Sequence, residues 1–155
     1  MLNEYDIGEI VRQVVAKLNI RESGVGMGIF EDMNEAIAAA KKAQAVLRVM
    51  SMDQREKIIS RIRQKILENA ETLARMAVEE TGMGNVGHKI LKNRLGAEKT
   101  PGTEDITTVA WSGDRGLTLI EMGPFGVIGA ITPCTNPSET VLCNSIGMIA
   151  GGNAV

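Results

Sequence analysis

The chain has 155 residues, 44% of them hydrophobic and 23% charged, with a formal net charge of -2. This is enough for one domain with a sizeable core, and the composition is that of an ordinary globular protein. The near-neutral charge, the scattered lysines and arginines, and an aromatic set limited to Trp111, Tyr5, Phe30 and Phe125 exclude a basic, base-stacking nucleic-acid face. Two cysteines, Cys134 and Cys143, make no disulfide framework and read as reduced cytosolic thiols. The first residues carry acids and no apolar run follows a basic start, so no secretory signal is expected. Asn144, Gly147 and Gly151 interrupt the longest apolar stretch, which argues against a membrane span.

Along the chain, residues 4–18 have a helical stripe made of Ile7, Ile10, Val11, Val14, Val15 and Leu18. A helix this short is marginal alone in water, so the stripe needs a cover, either the domain's own core or another protein. Residues 21–28, with Gly24, Gly26 and Gly28, read as a linker. The body begins at Ile29. Asp32 is placed to cap a helix from Met33 to about Met50, with Glu35 as its capping-box partner. A second helix starts near Ser51 or Asp53, keeps helical spacing through Ile58, Ile59, Ile62, Ile66, Leu67, Leu73, Met76 and Ala77, and stops at Thr81-Gly82. A third covers Val86 to Glu98, before the turn at Pro101-Gly102.

The period then changes from helix to strand. Residues 106–112 and 116–122 are expected to pair as a hairpin through Gly113-Asp114-Arg115-Gly116. Residues 125–132 form a near-continuous apolar run, which suits a strand buried on both faces of a parallel sheet. The loop Pro133-Cys134-Thr135 leads to a helix with Asn136 as cap, Pro137 in its first turn and Glu139 completing a capping box. That helix runs to Ala150, and Asn153-Ala154-Val155 starts a second strand. The result is an unfinished βαβ unit. A lone parallel strand leaves backbone groups unpaired, so these residues are expected to be part of something larger.

No phosphate loop, HExxH, CxxC or GxSxG is present. Gly24, Gly26 and Gly28 sit on a linker, not between strand and helix. His88, the single histidine, reads as a surface residue, with no cluster to hold a metal. The segment of interest is Ile131 to Thr140, at the carboxyl end of a strand and the start of a helix. In α/β sheets ligands bind at that edge, and a helix start offers free N–H groups. A capped helix after a core strand explains the same residues without any ligand.

Ala130-Ile131-Thr132-Pro133, Asn136-Pro137 and Ala150-Gly151-Gly152-Asn153-Ala154-Val155 together resemble a signature of the aldehyde dehydrogenase superfamily. Residues 77–84 (AVEETGMG), Lys92-Asn93, residues 99–106 (KTPGTEDI) and residues 111–126 (WSGDRGLTLIEMGPFG) narrow the likeness to its CoA-acylating branch. They are similar to the acetaldehyde and propionaldehyde dehydrogenases of ethanolamine- and propanediol-utilisation microcompartments. The likeness extends over nearly all of the chain from about residue 28. It implies an α/β fold, an incomplete three-layer NAD-binding domain with an oligomerisation hairpin at 106–122, and an N-terminal amphipathic helix. Residues 1–20 resemble the encapsulation peptides that dock such enzymes to shell proteins, which favours targeting over self-packing for the stripe.

The implied reaction takes a small aldehyde, coenzyme A and NAD to acyl-CoA and NADH. It needs a low-pKa cysteine thiolate and donors aimed at the developing oxyanion. By the resemblance, Ile131, Thr132, Pro133, Cys134 and Thr135 are cofactor-binding and line the adenosine side of the NAD cleft. The active-site wall falls at Thr135 or Asn136, with Asn136 the preferred oxyanion donor. Neither Cys134 nor Cys143 matches the nucleophile, which is expected beyond Val155, so these residues alone are expected to be inactive. A homo-oligomer in the cytoplasm, within a microcompartment lumen, is the implied setting. A non-catalytic shell-binding adaptor and a truncated gene relic are the alternatives.

Overall fold

The structure, a computed structural model, describes residues 28–155. The stripe Ile7, Ile10, Val11, Val14, Val15 and Leu18, and the linker up to Met27, lie outside the described residues. Four helices, α1 (Met33–Leu47), α2 (Met52–Thr81), α3 (Val86–Lys99) and α4 (Pro137–Ala150), are joined by a 3-10 turn at Thr103–Asp105 and an antiparallel hairpin, β1 (Val109–Gly113) and β2 (Gly116–Ile120).

The helix ends follow local chemistry. The Asp32 carboxylate accepts from the backbone N–H groups of Asn34 and Glu35 at 2.9 and 3.0 Å, which starts α1. That helix closes at Leu47, three residues before the sequence suggests, because Ser51 and Gln54 form a reciprocal capping box that starts α2. Gly82, at φ 66°, ends α2 in the left-handed conformation that glycine adopts without a Cβ penalty. Arg63 closes α3, its guanidinium donating to the carbonyls of Ala97 (2.6 Å) and Thr100 (2.7 Å) at the negative end of the helix dipole.

The core lies where α2, α3 and α4 meet. Ile59, Ala97, Leu142, Ile146 and Ala150 are buried there, with Ile62, Ile66, Ile106 and Ile149 packed around them. Each fully buried Ile or Leu contributes about 1.5–3 kcal/mol relative to exposure. Small residues set the helix spacing. Ala70, Ala74 and Ala77 make a buried strip on α2. A Cβ on Gly96 would meet Leu142 Cδ2 at 3.0 Å, so α3 crosses α4 at a glycine. On α3 the usual polarity is reversed: Lys89, Asn93 and Ala97 are buried, while Leu91 and Leu95 are exposed.

The hairpin pairs Val109 with Ile120 through Gly113 with Gly116, within the expected span, and both strands are exposed along their length. The expected buried strand at 125–132 is not formed. A single parallel bridge joins Val127 to Ala154, with Ile128 N–H donating to Ala154 O and Ala154 N–H to Gly126 O. Val127 and Ile128 are half-buried, but Ile131 is 99% exposed. The reason is edge pairing: among the described residues only the stretch around Ala154 bonds to this run, and one short neighbour cannot hold eight residues in a ladder. The crossover itself is as expected, so the arrangement is a partial α/β unit. Among the described residues no helix is long and apolar enough to cross a membrane.

The turn after α4 is fixed by Gly152, at φ 79°, where a Cβ would lie 3.1–3.2 Å from the Arg55 guanidinium. Arg55 in turn donates to the carbonyl of Ala150 at 3.1 Å. Gly152→Ala is therefore expected to destabilise the protein by about 2 kcal/mol or more, from left-handed backbone strain plus displacement of Arg55. Chemical denaturation of the native polypeptide would measure this, and an unchanged unfolding free energy would mean that the turn re-forms without cost.

Candidate functional site

The loop from Gly129 to Thr135 leaves the parallel bridge and enters α4, and α3 grips its far end. Lys89, Lys92 and Asn93 stand at i, i+3 and i+4 on α3, so they share one face. Lys89 is 4% exposed and its ammonium donates to the Thr135 carbonyl at 2.8 Å. Lys92 donates to Asn136 Oδ1 at 2.7 Å. Asn93, fully buried, donates from Nδ2 to the Ala70 carbonyl at 3.0 Å and accepts from the Ser138 hydroxyl at 2.8 Å. One carboxamide thus ties α2, α3 and the first turn of α4 together. Ser138 also lies 3.2 Å from Glu139 Oε2, on a carboxylate that is itself buried.

Asn136 departs from the expected cap. It occupies the cap position, at φ -139° and ψ 62°, but its side chain makes no capping hydrogen bond. Its Oδ1 is held by Lys92 instead. A lysine 44 positions away has outcompeted the local N–H groups, because an ionised donor makes the stronger bond. The helix therefore begins with Pro137 and no side-chain cap, leaving its first N–H groups open. Glu139 sits in the first turn, where a negative charge complements the dipole, but the expected capping box does not form.

Ile131, Thr132, Pro133, Cys134 and Thr135 are all exposed, as a continuous open run. Ile131 is 99% exposed, beside the exposed Thr132 and Pro133. Cys134 is an exposed free thiol on this loop. Cys143 is half-buried, 3.1 Å from Thr100 Oγ1 at the α3–α4 contact, as suits a structural residue. His88 is exposed, its Nδ1 accepting from Asn85 Nδ2 at 2.9 Å. No group of three or more metal-ligating side chains occurs among the described residues.

Asn153 completes the unit from below. Its Oδ1 accepts from Gly126 N–H at 2.9 Å and its own N–H donates to Met148 O at 2.7 Å, joining both ends of the crossover. Sequence reasoning gave no structural part to Lys89, Asn153 or Arg55. For Lys89 and Asn93 a signal was present, in the i, i+4, i+8 alignment with Ala97, but it was of the wrong polarity for a core stripe.

An open loop after a parallel bridge, a helix start without a side-chain cap and a crossover ending in Gly-Gly-Asn-Ala-Val make a partial α/β unit. The model of the aldehyde dehydrogenase family matches residues 25–155, and the chain belongs to that family. It is 52% identical over 128 residues to an acetylating acetaldehyde dehydrogenase of Bilophila wadsworthia, covering 83% of this chain and 26% of that protein. Among solved structures, it is similar to a propionaldehyde dehydrogenase from the fucose-utilisation microcompartment of Clostridium phytofermentans, at 80% identity and a TM-score of 0.79, covering 83% of this chain and 29% of that one. It also resembles the Rhodopseudomonas palustris propionaldehyde dehydrogenase with bound propionyl-CoA, at 58% identity and a TM-score of 0.79, covering 84% of this chain and 29% of the other. The chain thus spans less than a third of the length of these relatives.

Proposed function

We propose that these residues form part of an NAD-dependent, CoA-acylating aldehyde dehydrogenase that converts a small aldehyde, coenzyme A and NAD to acyl-CoA and NADH. The observation that carries this is the Asn136 carboxamide, held by Lys92 and not used as a helix cap, at the end of the open 131–135 loop, in a chain 52% identical to an acetylating acetaldehyde dehydrogenase and 80% identical to a propionaldehyde dehydrogenase. The exposed run Ile131 to Thr135 would hold the adenosine side of NAD, which supplies the hydride acceptor when bound. Asn136 would donate from Nδ2 to the substrate oxygen as it gains negative charge, lowering the barrier by electrostatic stabilisation. Lys89 holds the loop carbonyl of Thr135, just before Asn136. In this reading the nucleophilic thiol is neither Cys134, on the exposed 131–135 loop, nor Cys143, which is packed against Thr100.

The test is NADH formation by the native polypeptide from acetaldehyde or propanal, with and without coenzyme A. CoA-dependent NADH with stoichiometric acyl-CoA is expected. NADH formation that ignores CoA, or none at all, would refute the reading.

The finer setting is read from the hairpin and from the sequence pattern at residues 7–18. The hairpin exposes Trp111, Leu117 and Leu119 at 60–64%, which supports a role in homo-oligomer assembly by covering its edges. The stripe Ile7, Ile10, Val11, Val14, Val15 and Leu18 supports docking to shell proteins in a microcompartment lumen. Removing residues 1–20 is expected to abolish co-purification with shell proteins while leaving the specific activity within about twofold, since none of the proposed site residues falls in that segment. Undiminished co-purification would count against docking through this segment.

A further inference from the structure

We propose that Lys92 is a positioning residue for the dehydrogenase reaction, fixing the Asn136 carboxamide with its N–H face toward the substrate oxygen. The inference rests on the acylating-dehydrogenase reading and on Asn136 as the donor.

The chemistry of the contact decides the orientation. A lysine ammonium has three donors and no acceptor, so the Asn136 atom 2.7 Å from it must be Oδ1. The two hydrogens of Nδ2 then point away from α3. Oδ1 is not used as a helix cap, because Asn136 makes no side-chain capping bond to α4. Without Lys92 the carboxamide would be free to turn its oxygen onto the N–H groups of that first turn, as asparagines at this position commonly do. That rotation would aim Oδ1, an acceptor, at the place where substrate charge develops. Lys92 thus prevents a local capping bond that would disable the donor. The bond to the ammonium also polarises the amide and makes its N–H groups stronger donors. The anchor is firm on the other side: one turn back on the same face, Lys89 holds the preceding carbonyl, and the next residue, Asn93, holds Ser138. Residues 135, 136 and 138 are therefore all placed by a single helix face.

The experiment compares wild type, K92M, K92R, N136A and K92M/N136A of the native polypeptide, with propanal, CoA and NAD. K92M is expected to lower kcat about tenfold with KM for propanal and for NAD within about twofold, because a mis-aimed donor loses part of what a deleted one loses. K92R, which keeps a charged donor in reach, is expected to recover kcat to within about threefold of wild type. In the N136A background, K92M is expected to have no further effect, since both changes remove the same interaction. Thermal midpoints should be unchanged, as Lys92 is exposed. A K92M kcat within twofold of wild type, or the same tenfold loss in the N136A background, would overturn the role of Lys92 alone. An N136A enzyme with full activity would overturn Asn136 as donor, and Lys92 with it. A wild type without CoA-dependent activity would overturn the dehydrogenase reading itself.

Discussion

Asn136→Ala is expected to lower kcat about 10²–10³-fold with little change in KM, the usual cost of removing one side-chain donor from an oxyanion site. The carboxamide is not needed to start α4, because the structure gives it no capping bond. The loss should therefore appear in turnover and not in folding. Asn136→Asp should fare no better: a carboxylate would still accept from Lys92, but it would present negative charge to a developing negative charge. Thr135→Ala is the informative comparison. Thr135 is held by its carbonyl, through Lys89, while its side chain is on an exposed residue. Steady-state rates for the three variants decide between the two positions. A large loss in Thr135→Ala, with Asn136→Ala near wild type, would move the donor one residue back.

Asn93→Ala is expected to cost about 2–3 kcal/mol of stability. Asn93 is fully buried and makes two side-chain hydrogen bonds, to Ala70 and from Ser138. Each such bond contributes about 1 kcal/mol net, and the shortened side chain leaves a small cavity where three helices meet. Ser138 recovers part of the loss by turning to Glu139 Oε2. Asn93→Asp should be worse, despite equal size. It would place a carboxylate against the Ala70 carbonyl with no donor between them, in a site without solvent. Urea unfolding of the native polypeptide checks both. An aspartate variant as stable as wild type would show that Asn93 does not bridge α2 and α4.

What the sequence revealed, and what it hid, divides by the range of the interactions. The start of α1 at Asp32, the stop of α2 at Gly82 and the hairpin turn at Asp114-Arg115 are decided by neighbours within a few residues, so they were legible. The family likeness was legible too, through strings such as residues 99–106 and 150–155, and the match over residues 25–155 agrees with it. Asn136 as a cap was a sound local expectation, overturned by a lysine far off in sequence. The inverted face of α3 was hidden for a related reason. Hydrophobic periodicity puts Leu91 and Leu95 inside, whereas the helix turns Lys89 and Asn93 inward, because the Ala70 and Thr135 carbonyls and the Ser138 hydroxyl await them. The apolar run at 125–132 has the composition of a strand, but composition cannot supply the neighbours that a ladder needs.

The placement of Ile59 also bears on how the chain is made. It lies in α2, yet Leu142, Ile146 and Ala150, which enclose it together with Ala97, belong to α4. Synthesis runs from the N-terminus, so the long helix emerges well before those partners exist. At about 5–20 residues per second, the interval from Thr81 to Ala150 lasts roughly 3 to 14 seconds. During that time α2 can settle against α3 and the turn at 103–106, and the part of its apolar stripe that α4 will cover stays open. The first half of this fold is thus an obligate client of its own later residues, and the bond from Arg55 to Ala150 can close only after α4 has been translated.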